Sequence, residues 1–378
     1  MNRLFAACSA LVCVGAVVAC GSKLDAGTPD GGIIGGSTDG GADARTDGSG
    51  GATGAVPPSL PAGAAITSTT AESNFAIEAL LLGDVPRGSS AQSPTAWKDF
   101  GYNLDGKVST PTSTDLCTPA AGAQKSLVYA DGTNGIDNSF GENILPIFLN
   151  TVGADFAVQN NAAITNGQLT IEIDTKGLSG DPDQTNSGLT GYLNPAGSFD
   201  QGGPAPTFTT SDNWPVLNVL LSNASDPSTS SAAFPNAYVA NGTWVSAPFG
   251  TSSTSIPVSI LVAQVPLTLT IHDAIVTFDH NSPTRADGTI AGVINTEEFI
   301  TAFKTVAGQI STQLCSGSAF DGISAQIRQA SDILTDGTNQ AGRPCDGISI
   351  GLGFVALQIA VTTTAVSPPP PGADPCGG

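Results

Sequence analysis

The segment ISIGLGFVALQIAV, residues 348–361, carries the clearest structural pattern of the chain. Its large apolar residues recur at every second position, with one change of phase at Val355. A period of two indicates a β-strand, because successive side chains point to opposite faces of a sheet. The change of phase indicates a β-bulge. This stretch therefore predicts a long, bulged strand in the core of a mainly β protein.

Further strand patterns lie upstream, in FAIEALL (75–81), in QLTIEIDT (168–175) and between Ile256 and Phe278. In QLTIEIDT, the apolar positions face one way while Glu172 and Asp174 face the other, which predicts a half-buried strand. Pro257 and Pro266 indicate edges or bends, because proline donates no hydrogen bond to a sheet.

A β-hairpin is predicted in AYVANGTWV, residues 237–245. Asn241-Gly242 lies between two short β-prone runs, and both residues accept the positive φ angles that a two-residue hairpin turn requires.

Two helices are predicted late in the chain, at about residues 296–335. Apolar residues recur at helical spacing from Phe299 to Leu314, and Asn295 with Glu298 forms a plausible N-terminal cap. A second amphipathic pattern begins near Asp321, includes Leu334 and ends near Gly337. The predicted fold is therefore a β-sandwich or jelly-roll-like body with a helical hairpin inserted late.

The first twenty residues carry a targeting signal. Arg3 precedes an uncharged, mostly apolar run over residues 4–19, whose length suits a signal peptide better than a membrane span. VVAC, residues 17–20, resembles the lipobox of bacterial lipoproteins, with an aliphatic residue three positions before the cysteine and a small one directly before it. The resemblance implies cleavage after residue 19 and acylation of Cys20, which would anchor the chain to a membrane. Gly21 after the cysteine resembles lipoproteins that are sent to an outer membrane.

The remaining chain divides into three parts. Residues 20–71 are rich in Gly, Ser and Asp without apolar periodicity, which predicts a disordered tether. Residues 72–366 are predicted to form the β-rich ectodomain, and residues 367–378 form a tail rich in Pro and Gly that Cys376 can pin back.

Three stretches of the body resemble uncharacterised exported lipoproteins of myxobacteria-type genomes. They are AWKDFGYNLDGK (96–107), DGTNGIDNSFG (131–141) and CDGISIGLGF (345–354). The resemblance implies export and a cell-envelope location, and it implies no particular chemistry.

Cysteine usage and charge agree with export. The mature chain holds Cys117, Cys315, Cys345 and Cys376 besides Cys20, which predicts two disulfides with three connectivities open. A bridge from Cys315 to Cys345 would staple the second predicted helix. The chain has only 12% charged residues and a net charge of −20, which disfavours nucleic acid as a partner and favours cations.

The loop from residue 129 to 144 is the candidate metal site. It carries five side chains with oxygen atoms that calcium accepts as ligands: Asp131, Asn134, Asp137, Asn138 and Glu142. Glu142 is the twelfth residue from Asp131, but the other EF-hand positions do not match, so an EF-hand is not predicted. The alternative interpretation is a tight connector, because Asp and Asn satisfy their own backbone in turns.

Other candidate sites are weaker. His272, Asp273, Asp279 and His280 lie too far apart along a strand to share a metal unless a hairpin reunites them. Gly347 to Gly351 matches G-x-S-x-G, but a strand-like segment follows and no histidine lies downstream, so this is no nucleophile elbow. Trp244 and Trp214 are candidate ligand-stacking residues if they are exposed.

These features favour a membrane-anchored, exported protein whose ectodomain is a binding module for polysaccharide or an envelope protein. A structural or adhesive envelope protein is the first alternative. A carbohydrate-active hydrolase is the second, and it requires two converging carboxylates, such as Asp181 or Asp200 with Glu172.

Overall fold

A computed structural model of the chain describes residues 55–63, 70–123, 128–185, 188–199, 204–370 and 375–376. The predicted signal peptide, Cys20 and most of the predicted tether lie outside the described residues. The strands are β1 (Glu72–Leu81), β2 (Thr170–Lys176), β3 (Thr190–Ala196), β4 (Val216–Leu217), β5 (Ala233–Phe234), β6 (Tyr238–Ala240), β7 (Thr243–Val245), β8 (Ile256–Val262), β9 (Val265–Asp279), β10 (Arg285–Asn295), β11 (Gly347–Ile359) and β12 (Ala365–Val366). The helices are α1 (Leu145–Thr151), α2 (Phe156–Thr165), α3 (Thr296–Ile310) and α4 (Ser318–Gln329).

The described body is mainly β, as the sequence predicts. Its strands belong to one mixed sheet in the order β12-β4-β3-β2-β1-β11-β10-β9-β7-β6, with β5 on β3 and β8 on β9. The predicted core strand is β11, and it pairs antiparallel with β1 on one side and with β10 on the other. Side chains on both of its faces are buried along most of its length, which explains why apolar residues and glycine fill it.

The bulge lies where the change of phase in β11 places it, but on the partner strand. Ile77 pairs with Ala356 and Ala79 pairs with Val355, so Glu78 of β1 is the extra residue. Two residues of one strand then oppose a single step of the other, as in an ordinary β-bulge.

The Asn241-Gly242 hairpin forms as predicted. β6 pairs with β7, and both turn residues have positive φ angles, 51° and 75°. Upstream of the long strand β9, Pro257 lies in β8, which pairs with β9 and stands off the main path of the sheet. Its position fits the edge role predicted for it.

The helical hairpin is confirmed with one correction. The Asn295 side chain accepts hydrogen bonds from the backbone N–H groups of Glu297 and Glu298, which caps α3. α4 ends at Gln329, so the prediction that Leu334 is helical was wrong. Leu334 is instead buried beside the disulfide residues Cys117 and Cys345.

α1 and α2 lack a sequence signal and were not predicted. α2 packs on β1 through Asn161, whose amide exchanges two hydrogen bonds with the backbone of Leu80, at 2.8 and 3.0 Å. Among the described residues, no helix is long and apolar enough to span a membrane.

The tether prediction was wrong for residues 55–63. Ala55 is buried and exchanges backbone hydrogen bonds with Asn134 and Asn103, and the Tyr238 hydroxyl donates to the carbonyl of Pro58. This segment is docked because its backbone polar groups find partners on the body.

Two disulfides form, as predicted, and the connectivity is Cys117–Cys345 and Cys315–Cys376. The suggested bridge from Cys315 to Cys345 was wrong. Thr118 and Pro344 form an isolated parallel β-bridge, which places Cys345 beside Cys117. The N–H of Cys345 donates to the carbonyl of Thr118 at 2.6 Å. Cys315 follows α3 and bonds Cys376, which pins the tail as expected.

Candidate functional site

Asn138 makes the loop over residues 131–142 a structural connector. Its Nδ2 donates to the carbonyl oxygens of Trp97, Phe100 and Gly351 at 3.0–3.1 Å. Its Oδ1 accepts from the N–H groups of Gly141 and Gly351, both at 3.0 Å. The side chain is buried and fully used, so it has no lone pair to offer a metal.

The same contacts join the three stretches that carry the resemblance to exported lipoproteins. Asn138 belongs to the second stretch, Trp97 and Phe100 to the first, and Gly351 to the third. Gly351 is required there, because a Cβ atom at this position would overlap the carbonyl oxygen of Phe100. Glycine inside a strand often marks such a close approach of a neighbouring backbone.

The acidic members of the loop also serve the backbone. Asp137 is buried, and its Oδ2 accepts from the N–H of Leu104 at 2.7 Å. Asp131 accepts from the N–H of Ser109, whereas Glu142 Oε2 accepts from the side-chain amide of Asn143 at 3.4 Å. Asn134 is exposed, with a positive φ of 55° that suits a turn.

These observations support the connector interpretation over the calcium interpretation. Among the described residues, no group of three or more His, Cys, Asp or Glu side chains is arranged to hold a metal ion. Asp131 and Asp137 instead line one small cavity together with Asp332, whose carboxylate accepts from the N–H and hydroxyl of Ser349.

Burial gives this cavity unusual electrostatics. It raises the pKa of Asp131 to about 6 and that of Asp332 to about 7, and it raises the pKa of Asp137 well above its usual value. Neighbouring carboxylates add to each shift, because like charges disfavour ionisation. Ser349, the serine of the G-x-S-x-G match, is fully buried in a strand and is no nucleophile.

The tryptophan candidates are inaccessible. Trp214 and Trp244 are both 0% exposed, so neither can stack on a ligand. Trp244 stacks on Phe278, with ring centroids 4.9 Å apart, and Trp214 packs on Phe199 and Phe208. Their role is therefore core packing.

His272 lies in the middle of β9 and His280 directly follows its last residue, so the strand separates the two histidines, as the strand interpretation predicts. His272 Nδ1 lies 3.1 Å from Ser255 Oγ, and His272 Nε2 lies 2.9 Å from Glu298 Oε2. This places a Ser, a His and a Glu in series, but with the ring nitrogens reversed relative to a hydrolase triad. The two cavities described in this fold lie elsewhere. The contact ties β9 to the first turn of α3.

A different group of polar residues lies between β2 and β3. Both faces of β2 are covered, so the prediction of a half-buried strand was wrong. Glu172 and Asn194 are paired in register and 0% exposed, and Asp174 lies two residues from Glu172 on the same face. Thr362, which follows β11, and the turn at Pro227 cover them.

We name Glu172, Asp174 and Asn194 the β2–β3 polar cluster. Thr362 donates to Oε2 of Glu172, and Asn194 Nδ2 donates to Oδ2 of Asp174 at 3.2 Å and to the carbonyl of Pro227 at 3.3 Å. Three oxygens remain buried without a hydrogen-bond partner among the described residues: Glu172 Oε1, Asp174 Oδ1 and Asn194 Oδ1. Each unpaired acceptor costs about 1–3 kcal/mol when water is excluded.

Burial disfavours both charges in this cluster. It raises the pKa of Glu172 well above its usual value, with the Asp174 charge adding to the effect, and it raises the pKa of Asp174 to about 7. The nearest cation along the strand, the Lys176 ammonium, pairs with Glu72 at 2.6 Å.

The sequence alone suggested Asp181 or Asp200 as the carboxylate that converges with Glu172. Asp181 accepts from the hydroxyl of Ser179, Asp183 accepts from the N–H of Asn241, and Asp200 lies outside the described residues. Glu172 meets Asp174 instead. The alternation in QLTIEIDT does place Glu172 and Asp174 on the same face of the strand. The residues that cover this face lie more than fifty positions away in the sequence.

The fold and cluster together define a mainly β, disulfide-bonded body with a buried acidic pair. Comparisons with protein-family models, with curated proteins and with solved structures gave no match for this chain.

Proposed function

We propose that this protein is an exported lipoprotein, held in the cell envelope by acyl groups on Cys20, whose β-rich body acts as a binding module. The observation that supports this most is the pairing of all four cysteines among the described residues into two disulfides. Disulfides persist in oxidising compartments outside the cytoplasm. An anchored body with a tail closed by Cys376 suits that location.

The net charge of the chain and the burial of its two candidate tryptophans narrow the class of ligand that we propose. A net charge of −20 favours cations or cationic polymers and disfavours nucleic acid. Because Trp214 and Trp244 are inaccessible, a polysaccharide ligand would be held by hydroxyl, amide and carboxylate groups and not by stacking on these rings.

The structural or adhesive alternative differs in assembly state. A binding module works as a single body, whereas an adhesive protein associates with copies of itself. Sedimentation of the purified protein separates the two, since a monomer at micromolar concentration supports the binding module and concentration-dependent polymers support the alternative. The hydrolase alternative gains no support, because Glu172 is 0% exposed and no sugar ring can reach it.

Metabolic labelling with a fatty-acid analogue tests the anchor. We expect wild-type protein to be labelled and to fractionate with the outer membrane, and the Cys20→Ser variant to lose the label. Cys13→Ser is the matched control, because it removes a signal-region cysteine that lacks a small residue before it. Equal labelling of the Cys20→Ser variant and wild type, or an unlabelled wild type, would contradict the proposal.

A further inference from the structure

The β2–β3 polar cluster has too many acceptors for the donors around it. The donors that reach it are the Thr362 hydroxyl and the Asn194 amide, and both are already used. The amide orientation of Asn194 is fixed, because Nδ2 faces two acceptors, Asp174 Oδ2 and the carbonyl of Pro227. Oδ1 of Asn194 is therefore left buried without a donor among the described residues.

The register of the sheet holds these oxygens on one face. Asn194 is the direct partner of Glu172, and side chains of directly opposed residues on antiparallel strands lie side by side. On the other neighbour, β1, the buried Asn74 is the direct partner of Asp174. A fourth oxygen-bearing side chain thus flanks the cluster.

A shared proton does not satisfy the group. One proton between Glu172 and Asp174 supplies one donor, which leaves Asn194 Oδ1 without a partner, and only a second proton, with both carboxyl groups neutral, would supply another donor. A cation held between these side chains would give the three oxygens a common partner, and two carboxylates would balance the charge of a divalent ion. Oxygen ligands from carboxylate and amide groups in irregular geometry are the set that calcium accepts and that magnesium, with its strict octahedron, disfavours.

We propose that Glu172 Oε1, Asp174 Oδ1 and Asn194 Oδ1 form a binding site for calcium between β2 and β3. The site is separate from the loop over residues 131–142 and goes beyond the proposed envelope function. Glu172 and Asn194 are sealed, while Asp174 is half-buried and its strand continues to the exposed Lys176, so the ion enters from the Asp174 side. The cation ties β2 and β3 to the segments that bear Thr362 and Pro227.

Calorimetric titration of the chelator-treated, full-length protein with calcium chloride tests the site. We expect one calcium per chain, with a Kd on the order of 10⁻⁴–10⁻³ M, as in extracellular modules. In the Glu172→Gln variant, which removes a ligand oxygen and its charge, the affinity should fall by about tenfold or more. Glu297→Gln is the matched control, because it makes the same substitution at an exposed carboxylate of α3 that pairs with Arg328 and contacts no member of the cluster, and its affinity should match wild type.

Terbium luminescence gives a second measurement that does not depend on the Glu172→Gln variant folding. Tyr192 is the register partner of Asp174, so terbium bound in the cluster should be sensitised by excitation of tyrosine. Tyr192→Phe should remove most of this signal, and excess calcium should displace the terbium. The proposal is overturned if wild type binds no calcium at millimolar concentration, if Glu172→Gln binds as tightly as wild type, or if Tyr192→Phe leaves the luminescence unchanged.

Discussion

The loop over residues 131–142 and the β2–β3 polar cluster both gather carboxylates and amides, yet they differ in what those groups contact. In the loop, Asn138 makes five hydrogen bonds to backbone, and Asp137 accepts from the N–H of Leu104. In the cluster, three buried oxygens have no partner. The density of acidic residues in the sequence therefore does not by itself identify a metal site, and we place the proposed site where buried acceptors lack donors.

The largest expected effect comes from Asn138→Ala. The substitution leaves three carbonyls and two N–H groups around the loop without their partner, and we expect the free energy of unfolding to fall by about 4 kcal/mol. Urea denaturation followed by circular dichroism measures it. Asn134→Gly is the matched control, since Asn134 is exposed with positive φ, and it should change stability by about 0.5 kcal/mol or less. Similar losses in the two variants would remove the structural distinction between these two asparagines.

Gly351→Ala should weaken the same contact from the strand side. The added methyl would overlap the carbonyl of Phe100, so the loop must move away from β11. We expect a loss of about 3 kcal/mol, since overpacking a tight core contact costs this much. Gly180→Ala adds the same methyl where nothing lies within 4 Å, and it should be nearly neutral. A melting temperature of Gly351→Ala equal to that of Gly180→Ala would show that the close approach is absent.

A smaller effect of opposite sign is expected from Asp131→Asn. The folded-state pKa of Asp131 is raised to about 6, so the folded protein binds the proton more tightly than the unfolded chain does. The contribution of the Asp131 carboxyl group to the free energy of unfolding is therefore fully present below about pH 4 and is lost as the pH rises through about 6. The variant should be more stable than wild type by about 1 kcal/mol at pH 7.5, after allowance for solvent screening, and equal to it at pH 4.

Urea denaturation at the two pH values measures this difference in stability. The same measurement in the presence of calcium tests whether Asp131 is a metal ligand. If Asp131 were a calcium ligand, the variant would be less stable than wild type in millimolar calcium, because it would lose the stabilisation that binding supplies. We expect the variant to keep its advantage with calcium present.

Local patterns were enough to predict much of the fold. Alternation in β11, Asn241-Gly242 in the hairpin and the Asn295 cap each act within a few residues, so the sequence reveals them directly. The bulge was placed correctly along β11, but the extra residue proved to be Glu78 on its partner, since a phase change in one strand does not say which strand carries the insertion.

The parts that the sequence could not predict depend on distant residues. Thr362 and Pro227 turn the polar face of β2 into an interior, and Thr118 brings Cys117 to Cys345. Nothing in the sequence around Trp244 predicts that its ring stacks on Phe278. Asn161 holds α2 on β1, and the sequence of α2 has no apolar periodicity that would predict a helix.

X-ray diffraction from crystals soaked in terbium chloride locates the bound ion through its anomalous signal. We expect one strong peak between β2 and β3, within coordination distance of Glu172 Oε1, Asp174 Oδ1 and Asn194 Oδ1, and none in the loop over residues 131–142. A peak bounded by Asp131, Asp137 and Glu142, with the β2–β3 polar cluster empty, would contradict it.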